Sequence, residues 1–256
     1  MEKLKGKIVF ITGASSGIGE ATAYAFAAEG ARLLLAARRA DRLAEIKPKL
    51  IEAGSPDVHT FALDVRHAAQ VSEQLEKLPE AWKAIDILVN NAGLSRGLEK
   101  VYEGKLQDWD EMIDTNIKGL LYVTRAVAPG MVARGHGHVV NLGSTAGEIT
   151  YPGGAVYCGT KAAEYAINDG LRQDLLGTPV RVTTVDPGMV QTEFSEVRFH
   201  GDKERAAKVY QGLTPLTPAD IADAIVWAVS RPAHVNIARI LMTSLDQANS
   251  LLFNRK

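Results

Sequence analysis

The chain has 256 residues with nearly balanced charge, 29 Lys and Arg against 30 Asp and Glu, and 46% of it is hydrophobic. Such a composition describes a globular chain with core enough for one large domain or two small ones, and it gives no electrostatic reason to expect a nucleic-acid partner. The single cysteine, Cys158, excludes an intrachain disulfide and fits a reducing compartment, by default the cytoplasm, and the apolar run after Lys7 is too short for a signal-peptide core or a membrane span.

Residues 7–12 form the first of seven short apolar runs that read as strands. The others are 32–37, 58–62, 85–90, 138–143, 181–186 and 237–242. These runs are continuously apolar and alternate with longer amphipathic stretches, as expected of a parallel sheet covered by helices on both faces. No repeat, low-complexity segment or linker divides the chain, so residues 1–256 read as one α/β domain.

The first strand runs into Thr12-Gly13-Ala14-Ser15-Ser16-Gly17-Ile18-Gly19, which opens a helix predicted over 20–29. Glycines there let the backbone turn tightly and approach a pyrophosphate, while the helix N-terminus offers free N–H groups and a favourable dipole. The spacing is G-x-x-x-G-x-G, not the G-x-G-x-x-G of the general dinucleotide fingerprint. Gly13, Ser15, Ser16, Gly17, Ile18 and Gly19 are therefore candidate cofactor contacts.

Where the second strand ends, a cofactor without a 2′-phosphate is usually met by Asp or Glu. Here the chain reads Ala36-Ala37-Arg38-Arg39. Guanidinium groups pair with a 2′-phosphate through charge-assisted hydrogen bonds, so Arg38 and Arg39 favour NADP over NAD. Asp41 is expected to cap the following helix, which would begin at Arg42. Later, Thr217-Pro218 places a capping hydroxyl before a proline at a helix start.

Ser144 follows the fifth run, and Tyr157 precedes Lys161 by four residues. Four residues is just over one helical turn, so on a helix the phenol and the ammonium share a face. A nearby cation favours a phenolate: drawing the ionisation of a phenol from near pH 10 to about pH 7 takes roughly 4 kcal/mol, within reach of a cation in a partly desolvated cleft. Cys158 should point away from that face and is read as a buried, inert thiol. The six histidines show no metal-ligand spacing; His136 and His138 flank Gly137 and read as turn residues, so no metal is expected.

Three further motifs follow strands: Asp64-Val65, Asn90-Asn91-Ala92-Gly93 and Asp186-Pro187-Gly188. Asn116 falls within a helix. With the glycine loop, Ser144, Tyr157 and Lys161, they make the chain resemble the short-chain dehydrogenase/reductase family in its single-domain Rossmann form, over about residues 7–240. The resemblance implies that Asp64 and Val65 hold the adenine and that Asn91, Ala92 and Gly93 lie along the cofactor. It implies too that Pro187, Gly188, Val190 and Thr192 approach the nicotinamide end. It implies hydride transfer between the nicotinamide and a hydroxyl-bearing carbon, with Tyr157 moving the hydroxyl proton and Ser144 fixing the same oxygen. Lys161 would favour the phenolate and bond the nicotinamide ribose, and Asn116 would hold a water joining Lys161 to solvent. A homotetramer is also implied.

Within the family, Asp114-Thr115-Asn116-Ile117-Lys118-Gly119, Thr192-Glu193-Phe194-Ser195-Glu196-Val197-Arg198-Phe199 and Pro232-Ala233-His234-Val235-Asn236-Ile237 are similar to the NADP-dependent 3-hydroxy acid (serine or allo-threonine) dehydrogenases. A small anionic substrate needs a cation for its carboxylate. Arg198 is the candidate, in a mixed polar stretch, 188–217, expected to cover the pocket, with Tyr151 adding a hydroxyl. Two alternatives stand beside this reading: a reductase of acyl-carrier-bound or bulky ketones, and a non-catalytic NADP-sensing protein. The second would have no need to keep Ser144, Tyr157 and Lys161 together. The C-terminal stretch 244–256 can pack on a neighbouring subunit or fold back on its own domain.

Overall fold

A computed structural model describes residues 4–256, and strand and helix alternate along it as the apolar runs predict. The strands are β1 (Ile8–Thr12), β2 (Arg32–Ala37), β3 (Val58–Ala62), β4 (Ile87–Asn90), β5 (Gly137–Leu142), β6 (Val180–Pro187) and β7 (Arg239–Met242). Between them lie α1 (Gly17–Ala28), α2 (Ala40–Glu52), α3 (Ala68–Glu76), α4 (Leu106–Ile113), α5 (Leu120–Arg134), α6 (Ala155–Asp174), α7 (Phe194–Arg198), α8 (Lys203–Val209) and α9 (Pro218–Val229). The seven strands pair in parallel in the order β3-β2-β1-β4-β5-β6-β7.

Alternate residues of β1 enter different cores. Val9 and Ile11 meet Phe26, Leu33, Leu35 and Ile221 on one face, while Ile8 and Phe10 meet Leu34, Leu88, Met131 and Val139 on the other. Both faces are buried along the central strands β1, β2 and β4, which is why apolar residues follow one another there, whereas the edge strands β3 and β7 are only partly covered. Each large side chain taken from water contributes about 1.5–3 kcal/mol, so this double core dominates the favourable side of folding. Strand order reverses between β1 and β4, and the loops leaving their carboxyl ends diverge to open a cleft.

Several boundaries differ from the apolar runs. β4 begins at Ile87 and not at residue 85, because Ile85 N–H donates back to Lys83 O and the Asp86 carboxylate accepts from Ile8 N–H at 2.9 Å. Asp41 does not cap α2: the helix already begins at Ala40, Arg39 holds the cap position, and Asp41 lies in the first turn. There its charge still favours the helix by facing the positive end of the dipole. His138 is no turn residue. It lies in β5, 1% exposed, with Nε2 2.7 Å from Thr183 Oγ1. Burial first, and the Arg181 charge second, push its pKa down to about 3, so the ring stays neutral.

Thr217 caps α9 as expected. Its hydroxyl accepts from Asp220 N–H at 3.3 Å, and the Asp220 carboxylate accepts from Thr217 N–H at 2.7 Å, a reciprocal box preceding Pro218. Replacing Thr217 with Ala should cost about 1 kcal/mol in a urea melt, and Thr217→Ser should recover most of it. Equal stability of all three proteins would show that the box contributes nothing.

The C-terminal stretch folds back on its own domain. Asn254 N–H donates to Asp246 O, Lys256 N–H donates to Gly212 O, and Gln247 is buried with its side-chain oxygen accepting from Met189 N–H at 2.8 Å. Leu245, Leu251 and Leu252 remain exposed.

Candidate active site

The glycine loop lies at the carboxyl end of β1, where the sheet opens. Gly13 has φ +65°, and a Cβ there would stand 2.9 Å from Asn91 Nδ2 and 3.0 Å from Ala92 Cα, so only glycine fits. Asn91 clamps this turn: its Nδ2 donates to Thr12 O at 2.8 Å and to Gly13 O at 3.1 Å. The Thr12 hydroxyl in turn accepts from Asn91 N–H and Ala92 N–H. The loop after β4 thus fixes the loop after β1, and both face the cleft.

Ser16 leads into α1 with extended backbone, and its hydroxyl makes no cap bond to the helix. It accepts instead from Arg39 NH2 at 2.7 Å, and Ser15 Oγ accepts from Arg39 Nε at 3.3 Å. First-turn N–H groups of α1 therefore have no side-chain cap, and a guanidinium stands beside two hydroxyls at the same corner. That is the donor set a phosphorylated dinucleotide requires, and the cradle where a Cβ would collide leaves its backbone close approach. Arg38 lines the outer lip of the cleft and is exposed. Asp64 is held by Arg66 through both carboxylate oxygens, at 2.6 to 3.0 Å. Burial opposes its ionisation, but the Arg66 bonds win and hold its carboxyl below the ordinary range.

At the other end of the cleft stand Ser144, Tyr157 and Lys161. Ser144 follows β5 and starts a 3-10 turn, accepting from Ala146 N–H at 3.1 Å, with its hydroxyl 3.5 Å from Pro187 O. Tyr157 and Lys161 share one face of α6, as the four-residue spacing predicts, and the ammonium is 6.0 Å from the phenol ring centroid. Lys161 Nζ donates to Leu142 O at 2.8 Å and to both oxygens of Glu164 at 2.9 and 3.0 Å. Burial alone would lower the lysine's pKa, yet Glu164 and Tyr157 raise it, so the ammonium is retained.

The stretch 188–217 contains α7 and α8. Phe194 packs on Tyr157 with ring centroids 5.6 Å apart, and Gly97 N–H donates to Arg198 O. Arg198 NH2 donates to Tyr151 Oη at 2.9 Å, and its guanidinium carbon lies 5.4 Å from the Tyr157 ring centroid. Burial raises the Tyr151 pKa against the pull of Arg198, so that phenol stays protonated. Glu193, just before α7, bridges Arg39 at 2.9 Å and Arg42 at 2.6 Å. Burial works against its ionisation, but the two arginines hold its carboxyl below the usual range.

One cleft gathers the glycine loop, Arg38, Arg39, Asp64, Val65, Asn91 to Gly93, Ser144, Tyr157, Lys161, Pro187, Gly188, Val190 and Thr192. Four expected residues stand off its lining. Gly19 is buried in α1, where it lets the helix approach Asn91 and Gly13 O closely. Asn116 sits in a π-helical turn, Asp114–Gly119, with its side chain bonded to the backbone of Leu94 and to Thr160 Oγ1. Those bonds occupy both amide hydrogens, so a water reaching Lys161 would have to use the remaining lone pair or the backbone. Tyr151 and Arg198 lie just behind Tyr157. Two residues with evident electrostatic weight were not among the sequence candidates: Glu164, three positions beyond Lys161, and Glu193. Cys158 is fully buried and its thiol pKa is raised by burial, as expected of an inert group. No group of His, Cys, Asp or Glu among the described residues is arranged to hold a metal, and no helix among them is long and apolar enough to cross a membrane.

Comparison with known proteins agrees with this geometry. The family model described as short chain dehydrogenase matches residues 7–203. The chain is 49% identical over 242 residues to the NADP-dependent 3-hydroxy acid dehydrogenase YdfG of Salmonella typhi, covering 94% of this chain and 96% of that protein. It is 42% identical to the NADP-dependent 3-hydroxy acid dehydrogenase of Schizosaccharomyces pombe over 100% of this chain and 99% of the relative. Among solved structures, the closed form of serine dehydrogenase complexed with NADP+ superposes with a TM-score of 0.91 at 47% identity, covering 97% of this chain and 99% of the other. With its sheet order, glycine loop and Ser144, Tyr157 and Lys161 in one cleft, the chain belongs to the short chain dehydrogenase family.

Proposed function

We propose that this protein is an NADP-dependent dehydrogenase of small 3-hydroxy acids such as serine, working reversibly on the corresponding semialdehyde or keto acid. The observation that carries the substrate class is the placement of Arg198. Its guanidinium lies over the ring of Tyr157, and its buried Nε has no hydrogen-bond partner among the described residues. Arg198 follows Val197 of the cleft wall, and a cation beside the Tyr157 phenol is what a carboxylate close to the reacting hydroxyl needs.

NADP, when bound, would supply the hydride acceptor, and the glycine loop, the α1 N-terminus, Arg38 and Arg39 would hold it, the two arginines by pairing with a 2′-phosphate. The rest of the chemistry belongs to the chain. In oxidation Tyr157 takes the proton of the substrate hydroxyl, and in reduction it returns one to the carbonyl oxygen. Ser144 hydrogen-bonds the same oxygen and fixes its distance from the phenol. Lys161 provides the positive charge that favours the phenolate, and Arg198 with Tyr151 orients the substrate by its carboxylate. The segment 188–217 covers the pocket. A cytoplasmic homotetramer is part of the same proposal, supported by the resemblance and by the exposed leucines of the C-terminal stretch.

The test is the reduced-nicotinamide absorbance with a panel of 3-hydroxy acids and neutral alcohols, using NADP and NAD side by side. Arg198→Ala should raise the KM for 3-hydroxy acids about tenfold while changing that for neutral alcohols far less. Equal effects on both classes would remove Arg198 from substrate recognition. Preference for bulky or carrier-bound ketones over hydroxy acids would favour the alternative reductase reading, and NADP binding without turnover of any substrate would favour the sensing protein.

A further inference from the structure

Glu164 lies on the face of α6 turned toward the sheet, and its carboxylate and the Lys161 ammonium are almost fully enclosed, with side chains 4% and 7% exposed. The three hydrogen bonds of Lys161 go to Leu142 O and to the two oxygens of Glu164. A helix-surface glutamate three residues from a lysine would be a weak, solvated pair. This one is buried beneath the proton-transfer site, where charge acts at low effective dielectric.

Resting on the function proposed above, we propose that Glu164 is a positioning residue that sets how much positive charge Lys161 presents to Tyr157. With the carboxylate ionised, lysine and glutamate together are neutral, and the phenolate is stabilised only by the nearer end of a dipole. With the carboxylate protonated or absent, the ammonium acts alone. The other charged groups that face the pair are few. Tyr157 stands one turn earlier on α6, and Asp186 of β6 is buried behind them. Asp186 is itself paired with Arg239 of β7, whose guanidinium also reaches Glu148 and Tyr165 Oη.

Burial drives the Glu164 pKa up to about 7, with Asp186 adding to the rise and Lys161 opposing it. The carboxylate therefore ionises near neutral pH. The sign follows directly. As pH rises through that value Glu164 becomes charged and partly cancels Lys161, so the pH profile of hydroxyl oxidation is held to higher pH. Removing the carboxylate should move the activity profile the other way.

The experiment measures kcat/KM for serine oxidation with NADP from about pH 6 to about pH 10 for wild type, Glu164→Asp and Glu164→Gln. The expected result is a Glu164→Gln midpoint about one pH unit below wild type, the scale of a charge removed at contact distance, with Glu164→Asp nearer to wild type. A Glu164→Gln midpoint equal to wild type, or displaced upward by a lysine that has lost its proton, overturns the proposal. Should Glu164→Gln fail to fold, infrared difference spectra of the wild-type holoenzyme read the carboxyl directly. A protonated-carboxyl band that grows as pH falls through about 7 and changes in Glu164→Asp supports the proposal, and its absence overturns it. Wild-type turnover of serine with NADP reports on the proposed function, and the midpoint reports on Glu164, so the two can fail separately.

Discussion

Tyr157→Phe should reduce kcat for 3-hydroxy acids by roughly 10²- to 10⁴-fold, the usual worth of a positioned general acid or base. The substitution removes one oxygen and little else. Tyr157 is 7% exposed and its ring packs against Phe194 and within the cluster formed by Leu94, Met112, Ala146 and Cys158, contacts a phenylalanine ring retains. The fold and the cofactor end of the cleft should therefore persist, and fluorescence titration should give an NADPH Kd close to wild type. Loss confined to kcat with binding intact identifies a group needed for proton transfer and not for ground-state binding. Near-normal turnover with intact binding would remove Tyr157 from the chemistry. A parallel loss of NADPH affinity would mean instead that the hydroxyl holds the cofactor in place.

The central strands were legible because both sheet faces are buried there, so β1, β2 and β4 are nearly continuous apolar runs that stand out from the amphipathic helices. The glycine loop, Ser144 and the Tyr157 to Lys161 spacing were legible because short-range geometry dictates them: a turn that only glycine can make, and a helical face that repeats at four residues. Asp41 misled because the capping preference of its side chain is a local tendency, whereas the start of α2 is set by where β2 releases the chain at Arg38 and Arg39. At His138 two readings competed, the start of the strand run 138–143 and a turn suggested by the glycine beside it, and pairing with β6 settles it by drawing Gly137 into the strand as well. Glu164 was invisible for a different reason. A glutamate three positions after a lysine is usually a solvated pair, and only the packing of α6 on the sheet turns this one inward. Glu193 joins Arg39 across 154 positions in the sequence, a separation no local pattern can report.

Arg39→Ala and Arg38→Ala should each lower kcat/KM for NADP about 10- to 100-fold while leaving that for NAD nearly unchanged, the range expected for a lost hydrogen bond between charged groups. Arg39 is the better placed of the two. Ser15 and Ser16 accept from its Nε and NH2, which orients the guanidinium over the start of α1, where the cofactor phosphates are proposed to lie. Its half-exposed position favours the lower end of that range, because solvent screens the pairing. Arg39 has a second partner, however: its NH1 donates to Glu193, which also accepts from Arg42. Loss of NADP efficiency in Arg39→Ala could then arise from a missing phosphate contact or from release of the segment that begins at Glu193. Glu193→Gln separates the two. It weakens the tie to both arginines but leaves each guanidinium in place, so the ratio of NADP to NAD efficiency should stay near wild type or rise as a competing carboxylate is removed. A fall in that ratio equal to that of Arg39→Ala would show that Glu193, by holding the segment over the cleft, carries the cofactor preference, and that the arginine pair does not.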